Sequence, residues 1–289
     1  MKRVITHVLA GFLLLTLLPC NVFAKGIESE SSKLTNPKEI SIDTQQRIYE
    51  FEKENPYART YLEQIKEACA TADLQEGETA DQIMSEAMLS VKEVDRKNAE
   101  ENYKRNALKV KSQIPRRSEM YNNAVANYAA GIALVRALGC KNTAHFMEHA
   151  LVPENSTTNP TDLYYGTNDD LTKSVYFTPK LHRQIFSSFE RNILAKNLSS
   201  GTITGSYYFQ SGQDDLDLVA GLGHIYYSAT FVKKANGYSI SFYVRDTYNF
   251  DWNEYNNFAI DFGNNYCYTM QQLGYIKEFD IIINYYYYK

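Results

Sequence analysis

Cysteine is scarce in this chain, with four in 289 residues and no CxxC pair. A zinc knuckle or a dithiol redox centre therefore has no ligand pattern to rest on. Positive charge is not in excess either: 30 Lys and Arg stand against 34 Asp and Glu, a net of −4. That balance gives no footprint for a nucleic-acid partner, and Arg116-Arg117 is an isolated basic pair. No glycine-rich phosphate loop occurs, and Ser, His and Asp are not spaced as a nucleophilic triad. Past the amino-terminal stretch there is no apolar run approaching the roughly 20 residues that span a bilayer.

That amino-terminal stretch is the most explicit signal present. Lys2 and Arg3 precede an apolar run from Val8 to Leu18, and Val22-Phe23-Ala24 offers small or aliphatic residues at the positions a signal peptidase reads. Residues 1–24 are expected to be a cleaved secretory signal, which places the released chain outside the cytoplasm as a secreted, extracellular protein with no transmembrane segment. Pro19 before Cys20 disfavours a lipid-anchored cysteine. Three cysteines would remain, Cys69, Cys140 and Cys267. They allow one disulfide of unassigned pairing or three buried thiols.

Residues 25–40 are polar and read as a flexible leader. A helical region is expected over 41–198. Apolar residues recur at spacings of three and four in Ile48 and Phe51, in Tyr61, Leu62, Ile65 and Ala68, and in Ile83, Ala87, Val91 and Val94. The last of these helices, about 79–109, carries a thin apolar stripe and a wide charged face that is expected to meet solvent. Pro115 breaks the pattern. An alanine-rich helix follows over 118–138, then Gly139 as a C-cap, a short helix over 144–151 and another over 180–198.

The period changes near Ser199. Residues 201–209 alternate like a strand. Residues 223–233 place Ile225, Tyr227, Ala229 and Phe231 on one face and His224, Tyr226, Ser228 and Thr230 on the other. Asn236-Gly237 signals a hairpin into an equally regular return strand, then a helix over 254–273 and a last strand over 279–287. The expectation is an α+β protein: a helical N-terminal region followed, over 199–289, by an antiparallel β-sheet module with one packed helix.

His145-Phe146-Met147-Glu148-His149 is an H-x-x-E-H string. Residues four apart share a helix face, so His145 and His149 could reach one zinc ion while Glu148 takes a proton from its bound water. The string resembles the zinc helix of the pitrilysin–insulysin peptidases. That resemblance implies metal-dependent hydrolysis and a further acidic ligand on a downstream helix, and no Glu occurs between Glu190 and Glu254. Asp214, Asp215 and Asp217 are the nearest acids; they could attract calcium, but a solvated acidic turn is the preferred reading.

Asp246-Thr247-Tyr248-Asn249-Phe250 follows the hairpin. It resembles a C-terminal β module of exported bacterial proteins and a string of the colicin M family, which cleaves a cell-wall precursor. The resemblance implies catalytic roles for Asp246 and Tyr248. Asn249 stands where that family has a second acid, and a lone Asp lacks an acid–base partner. Read as structure alone, Asp246 caps the strand, and Tyr248, Phe250 and Trp252 fill the sheet–helix junction.

Tyrosine is abundant: 24 in all, 15 of them after residue 206, ending in Tyr285–Tyr288. Rigid rings bearing hydroxyls make good contact surfaces. The leading expectation is accordingly a non-enzymatic extracellular interaction protein without a cofactor. It would meet cell-wall glycan or a protein surface through a tyrosine-rich face that includes Tyr226 and Tyr243. The alternatives are a zinc hydrolase at His145, Glu148 and His149, or a cell-wall-directed hydrolase or toxin at Asp246 and Tyr248.

Overall fold

The computed structural model describes residues 36–107, 118–251 and 258–288. The expected export signal over residues 1–24, residues 25–35 of the expected leader, Pro115 and Trp252 lie outside the described residues. The rest of the leader is tied down: Ala80 N–H donates to Pro37 O at 2.8 Å, and just past the leader Ser41 N–H donates to Asp81 Oδ1 at 2.9 Å.

Three helices come first. Ser41 caps α1 (Ile42–Glu54) by accepting from Thr44 N–H. A 3-10 turn, Pro56–Ala58, leads into α2 (Arg59–Ala70), and α3 (Ala80–Ala107) follows. Next come α4 (Ser118–Ala137), α5 (Lys141–Ala150), a short strand β1 (Leu163–Tyr165), α6 (Asp170–Tyr176) and α7 (Pro179–Phe189), which runs on as one π turn to Leu194. The remainder is β2 (Ser200–Tyr208), α8 (Leu216–Gly221), β3 (His224–Lys234), β4 (Gly237–Tyr248), α9 (Phe258–Gln272) and β5 (Phe279–Tyr288). The fold is α+β, with an N-terminal helical region and a mostly antiparallel sheet toward the C-terminus.

Among the described residues the sheet has five strands in the order β1-β5-β4-β3-β2. β1 is its one parallel neighbour, pairing Leu163 with Ile281. Lys234 pairs with Gly237, so the hairpin loop is Ala235-Asn236, one residue earlier than the Asn-Gly signal places it.

Because side chains alternate along a strand, the sheet has two faces, and helices cover both. α1–α3 pack Tyr61, Leu62, Ile65, Met84 and Val91 onto Val232, Tyr243 and Ile282. The opposite core joins Phe146, Val175, Tyr176, Leu181 and Ile185 to Ile225, Tyr227, Phe231, Phe242, Ile281 and Ile283. Each fully buried side chain of this size contributes roughly 1.5–3 kcal/mol, so both helical layers are held strongly. The sheet is therefore a middle layer covered by more than the one helix expected from sequence. The polar strand face is satisfied internally: Tyr61 Oη lies 3.0 Å from Ser228 Oγ and 2.6 Å from Thr230 Oγ1.

Candidate functional site

The H-x-x-E-H residues lie on α5. Its N-cap residue, Cys140, makes no side-chain hydrogen bond to the first amides. Asp217, buried on α8, does that from a distance in sequence. Its carboxylate accepts from Asn142 N–H (2.9 Å), Thr143 N–H (2.7 Å), Asn142 Nδ2 (3.0 Å) and Thr143 Oγ1 (2.7 Å). Asp214 accepts from Tyr207 Oη and from Gln210 N–H, and Asp215 caps α8 by accepting from Asp217 N–H at 2.9 Å. Asp215 and Asp217 are thus helix caps, and Asp217 is buried where a solvated turn was expected.

One turn along α5, His145 is exposed and its ring centroid is 6.3 Å from that of His149. His149 Nε2 sits 2.7 Å from Thr161 O. A carbonyl oxygen only accepts, so this nitrogen carries the proton and has no lone pair for a metal. Glu148 accepts from Arg136 Nη2 at 2.7 Å. Asp217 meets amides at the helix start, not these imidazoles. Among the described residues no three His, Cys, Asp or Glu side chains converge as a metal site. The cysteines Cys69, Cys140 and Cys267 are free and buried.

Asp246 and Tyr248 both point into the core on the α5 side of the sheet. Burial pushes the Asp246 carboxyl well above the ordinary carboxylate range; Arg105 works against that shift and Glu101 adds to it. The Tyr248 ring packs against Phe146, Phe250 and Phe279, and its hydroxyl has no hydrogen-bond partner among the described residues. Asn249 is engaged through its carbonyl with Arg105 Nη1 at 2.6 Å and through its amide with Asn102 Oδ1 at 2.9 Å.

Tyr243 is fully buried and does not belong to an open aromatic face. Its hydroxyl donates to Asp95 Oδ1 at 3.0 Å, under α3. Tyr226 is half-buried on the same face, bonded to Glu101. The reason is α3: its polar residues Asp95, Asn98, Glu101, Asn102 and Arg105 face the sheet instead of solvent. Asp95 ion-pairs with Arg245 at 3.4 Å, and Arg245 Nε donates to Asp280 at 3.0 Å while stacking on Tyr57. Asn98 and Asn102 donate to Thr247 Oγ1. Glu101 meets His224 Nδ1 at 2.8 Å, and the Tyr208 ring lies flat on His224 at 3.7 Å. Burial pushes the Glu101 carboxyl up, but His224, Arg105 and Tyr226 more than offset this and hold it below its ordinary value. The cluster clamps a helix to a sheet.

Rings such as Tyr49, Tyr103 and Tyr208 are exposed elsewhere, whereas a connected row of partly exposed rings lies on the other side. Phe177, at the end of α6, is 48% exposed. It contacts Tyr287 edge-on at 6.5 Å and His182 in parallel at 5.8 Å, and His182 stacks on Phe186 at 4.4 Å. Phe186 continues to Phe189, and Phe189 to Tyr238 at 4.9 Å. Tyr287, His182, Phe186 and Tyr238 are each half-buried. The result is a continuous aromatic ridge whose base is fixed in the core by Phe189 stacking on Phe231 at 4.3 Å.

No protein-family model matches the chain, and neither a curated protein nor a solved structure does. Function is therefore read from the geometry above. Sequence reasoning found the terminal tyrosines that end the ridge but missed Phe177, His182 and Phe186. Its one available signal was their spacing around Pro179, where His182 and Phe186 stand four apart on a helix face. It also missed Glu101 and Arg105, and it named Asp217 without its role as the cap of α5, because their partners are distant in sequence.

Proposed function

We propose that this chain is an exported, non-enzymatic binding protein whose contact surface is the ridge of Tyr287, Phe177, His182 and Phe186, and that its ligand is a surface glycan of the cell-wall type. The observation that carries the reading is Phe177, a large ring left half in solvent within a row of rings held rigid from below. Such rings lose little conformational freedom on binding and offer flat apolar faces with polar edges, which suits the faces of sugar rings. Export rests on the character of residues 1–24. No helix among the described residues is long and apolar enough to cross a membrane.

The test is a pull-down of the purified chain with insoluble cell-wall material, comparing the parent with Phe177→Ala and Tyr287→Ser. Both positions are partly exposed, so the fold should survive. Binding is expected to weaken at least about tenfold in each variant, the effect of losing one central aromatic anchor. Unchanged binding by both variants, or none by the parent, would refute the glycan reading.

A further inference from the structure

We propose that the free edge of β2 is a self-association site, and that two copies of this chain join β2 to β2 in antiparallel fashion around a two-fold axis at Ile203.

β2 is an edge strand, paired only with β3 among the described residues. The direction of its backbone groups follows from the hydrogen bonds at its two ends. Ser199 O accepts from Lys233 N–H, and Phe209 N–H donates to Gly223 O. Backbone groups alternate sides along a strand, so the odd residues face β3. The N–H and C=O groups of Ser200, Thr202, Thr204, Ser206 and Tyr208 point outward, away from the sheet. Ser206 O accepts from Gln184 Nε2 at 3.2 Å, which agrees with that parity.

Natural edge strands are usually blunted by a lysine, a proline, a bulge or short length. This one has none of these. It runs nine residues, Ser200–Tyr208, in continuous register with β3 and without a charge.

The sequence supplies the partner. Ser200-Gly201-Thr202-Ile203-Thr204-Gly205-Ser206 reads the same in both directions. An antiparallel two-fold centred on Ile203 sets Thr202 opposite Thr204 of the second copy, Gly201 opposite Gly205, and Ser200 opposite Ser206. The hydrogen-bonded pairs in that register are the even residues, the ones whose backbone groups point outward; of these Ser206 O already accepts from Gln184 Nε2 and has its second lone pair left for the partner. Thr–Thr pairs across strands are favourable, and no like charges oppose one another. The glycines fit the same arrangement. A Cβ at Gly205 would lie 2.7 Å from Tyr227 Oη and one at Gly201 3.0 Å from Ile193, so these positions are small for internal reasons. Joining the edges would make one ten-strand sheet from the five-strand sheet of each copy.

Sedimentation equilibrium of the signal-free chain is the first measurement, with hydrogen exchange at two concentrations as the second. A monomer–dimer equilibrium is expected, and the amides of Thr202, Thr204 and Ser206 should gain protection as concentration rises. Thr204→Pro removes an outward N–H, a position where an edge strand tolerates proline, and should raise the dimer Kd by at least about tenfold. Thr204→Lys keeps the N–H and adds an edge charge at an exposed position, and should act in the same direction with unchanged circular dichroism. A chain that stays monomeric at high concentration, or a dimer that keeps its Kd in both variants while those amides exchange freely, would overturn the proposal.

Discussion

Replacing Asp217 by alanine should be far more damaging than its place in an acidic, loop-like run suggests. The carboxylate is buried and accepts four hydrogen bonds, two from the first amides of α5 and two from the side chains of Asn142 and Thr143. A hydrogen bond to an ionised group is worth roughly 1.5–3 kcal/mol, but bonds sharing one acceptor do not add. Losing a helix N-cap alone costs about 1 kcal/mol, and removing a negative charge from a helix N-terminus costs about 0.3–1 kcal/mol more. The buried donors left behind add their own desolvation cost. We expect Asp217→Ala to lower stability by about 3–4 kcal/mol, and Asp217→Asn, which keeps one acceptor, by about half as much. Asp215→Ala removes only the local cap of α8 and should cost about 1 kcal/mol. Urea unfolding curves separate the three, since a shifted midpoint at constant m reports stability alone. A solvated acid changes stability by about 0.5 kcal/mol or less. An Asp217→Ala midpoint equal to the parent's would refute the capping role.

Two other outcomes follow from buried groups. Asp246 is held well above the ordinary carboxylate range chiefly by burial, so between its unfolded and folded pKa values the native state binds the extra proton. Its contribution is favourable below the unfolded value and is lost as pH rises through the folded one, so Asp246→Asn should stabilise at neutral pH by an amount that vanishes near pH ~4; parallel stability–pH curves for the two proteins would exclude this. Burial pushes the Cys69 and Cys267 thiols up to about 12. Neither should react with iodoacetamide in the native state, while Cys69, Cys140 and Cys267 should all react after unfolding; a disulfide-linked peptide in the mass spectrum would contradict the free thiols.

The hairpin of β3 and β4 was legible because both strands alternate without interruption, and alternation fixes which residues share a face. What covers a face is not in the period. Ser228, Thr230 and Tyr243 read as the outward side, yet α1–α3 lie on them and their hydroxyls are spent on Tyr61 and Asp95. The same ambiguity hid the role of α3. Asp95, Asn98, Asn102 and Arg105 recur at helix spacing and look like a solvated stripe, because a polar residue suits water and a polar strand face equally well. β1 was not legible at all: three residues carry too little periodicity, and Leu163–Tyr165 is a strand only because β5 offers it an edge.

The sites divide along the same line. The H-x-x-E-H string was correctly placed on one helix, but a local string cannot report that Thr161 O occupies the proton-bearing nitrogen of His149. Asp246 and Tyr248 were visible as a motif, while the depth of Tyr248 depends on Phe146 and Phe279, far away in sequence. The palindrome around Ile203 shows the converse. Its letters are plain in the sequence, yet symmetry in a central strand would mean nothing, since both edges would already be paired. It acquires meaning only because β2 is outermost among the described residues and the parity of its hydrogen bonds turns the even residues outward. Pattern supplies the candidates, and long-range placement decides which of them can act.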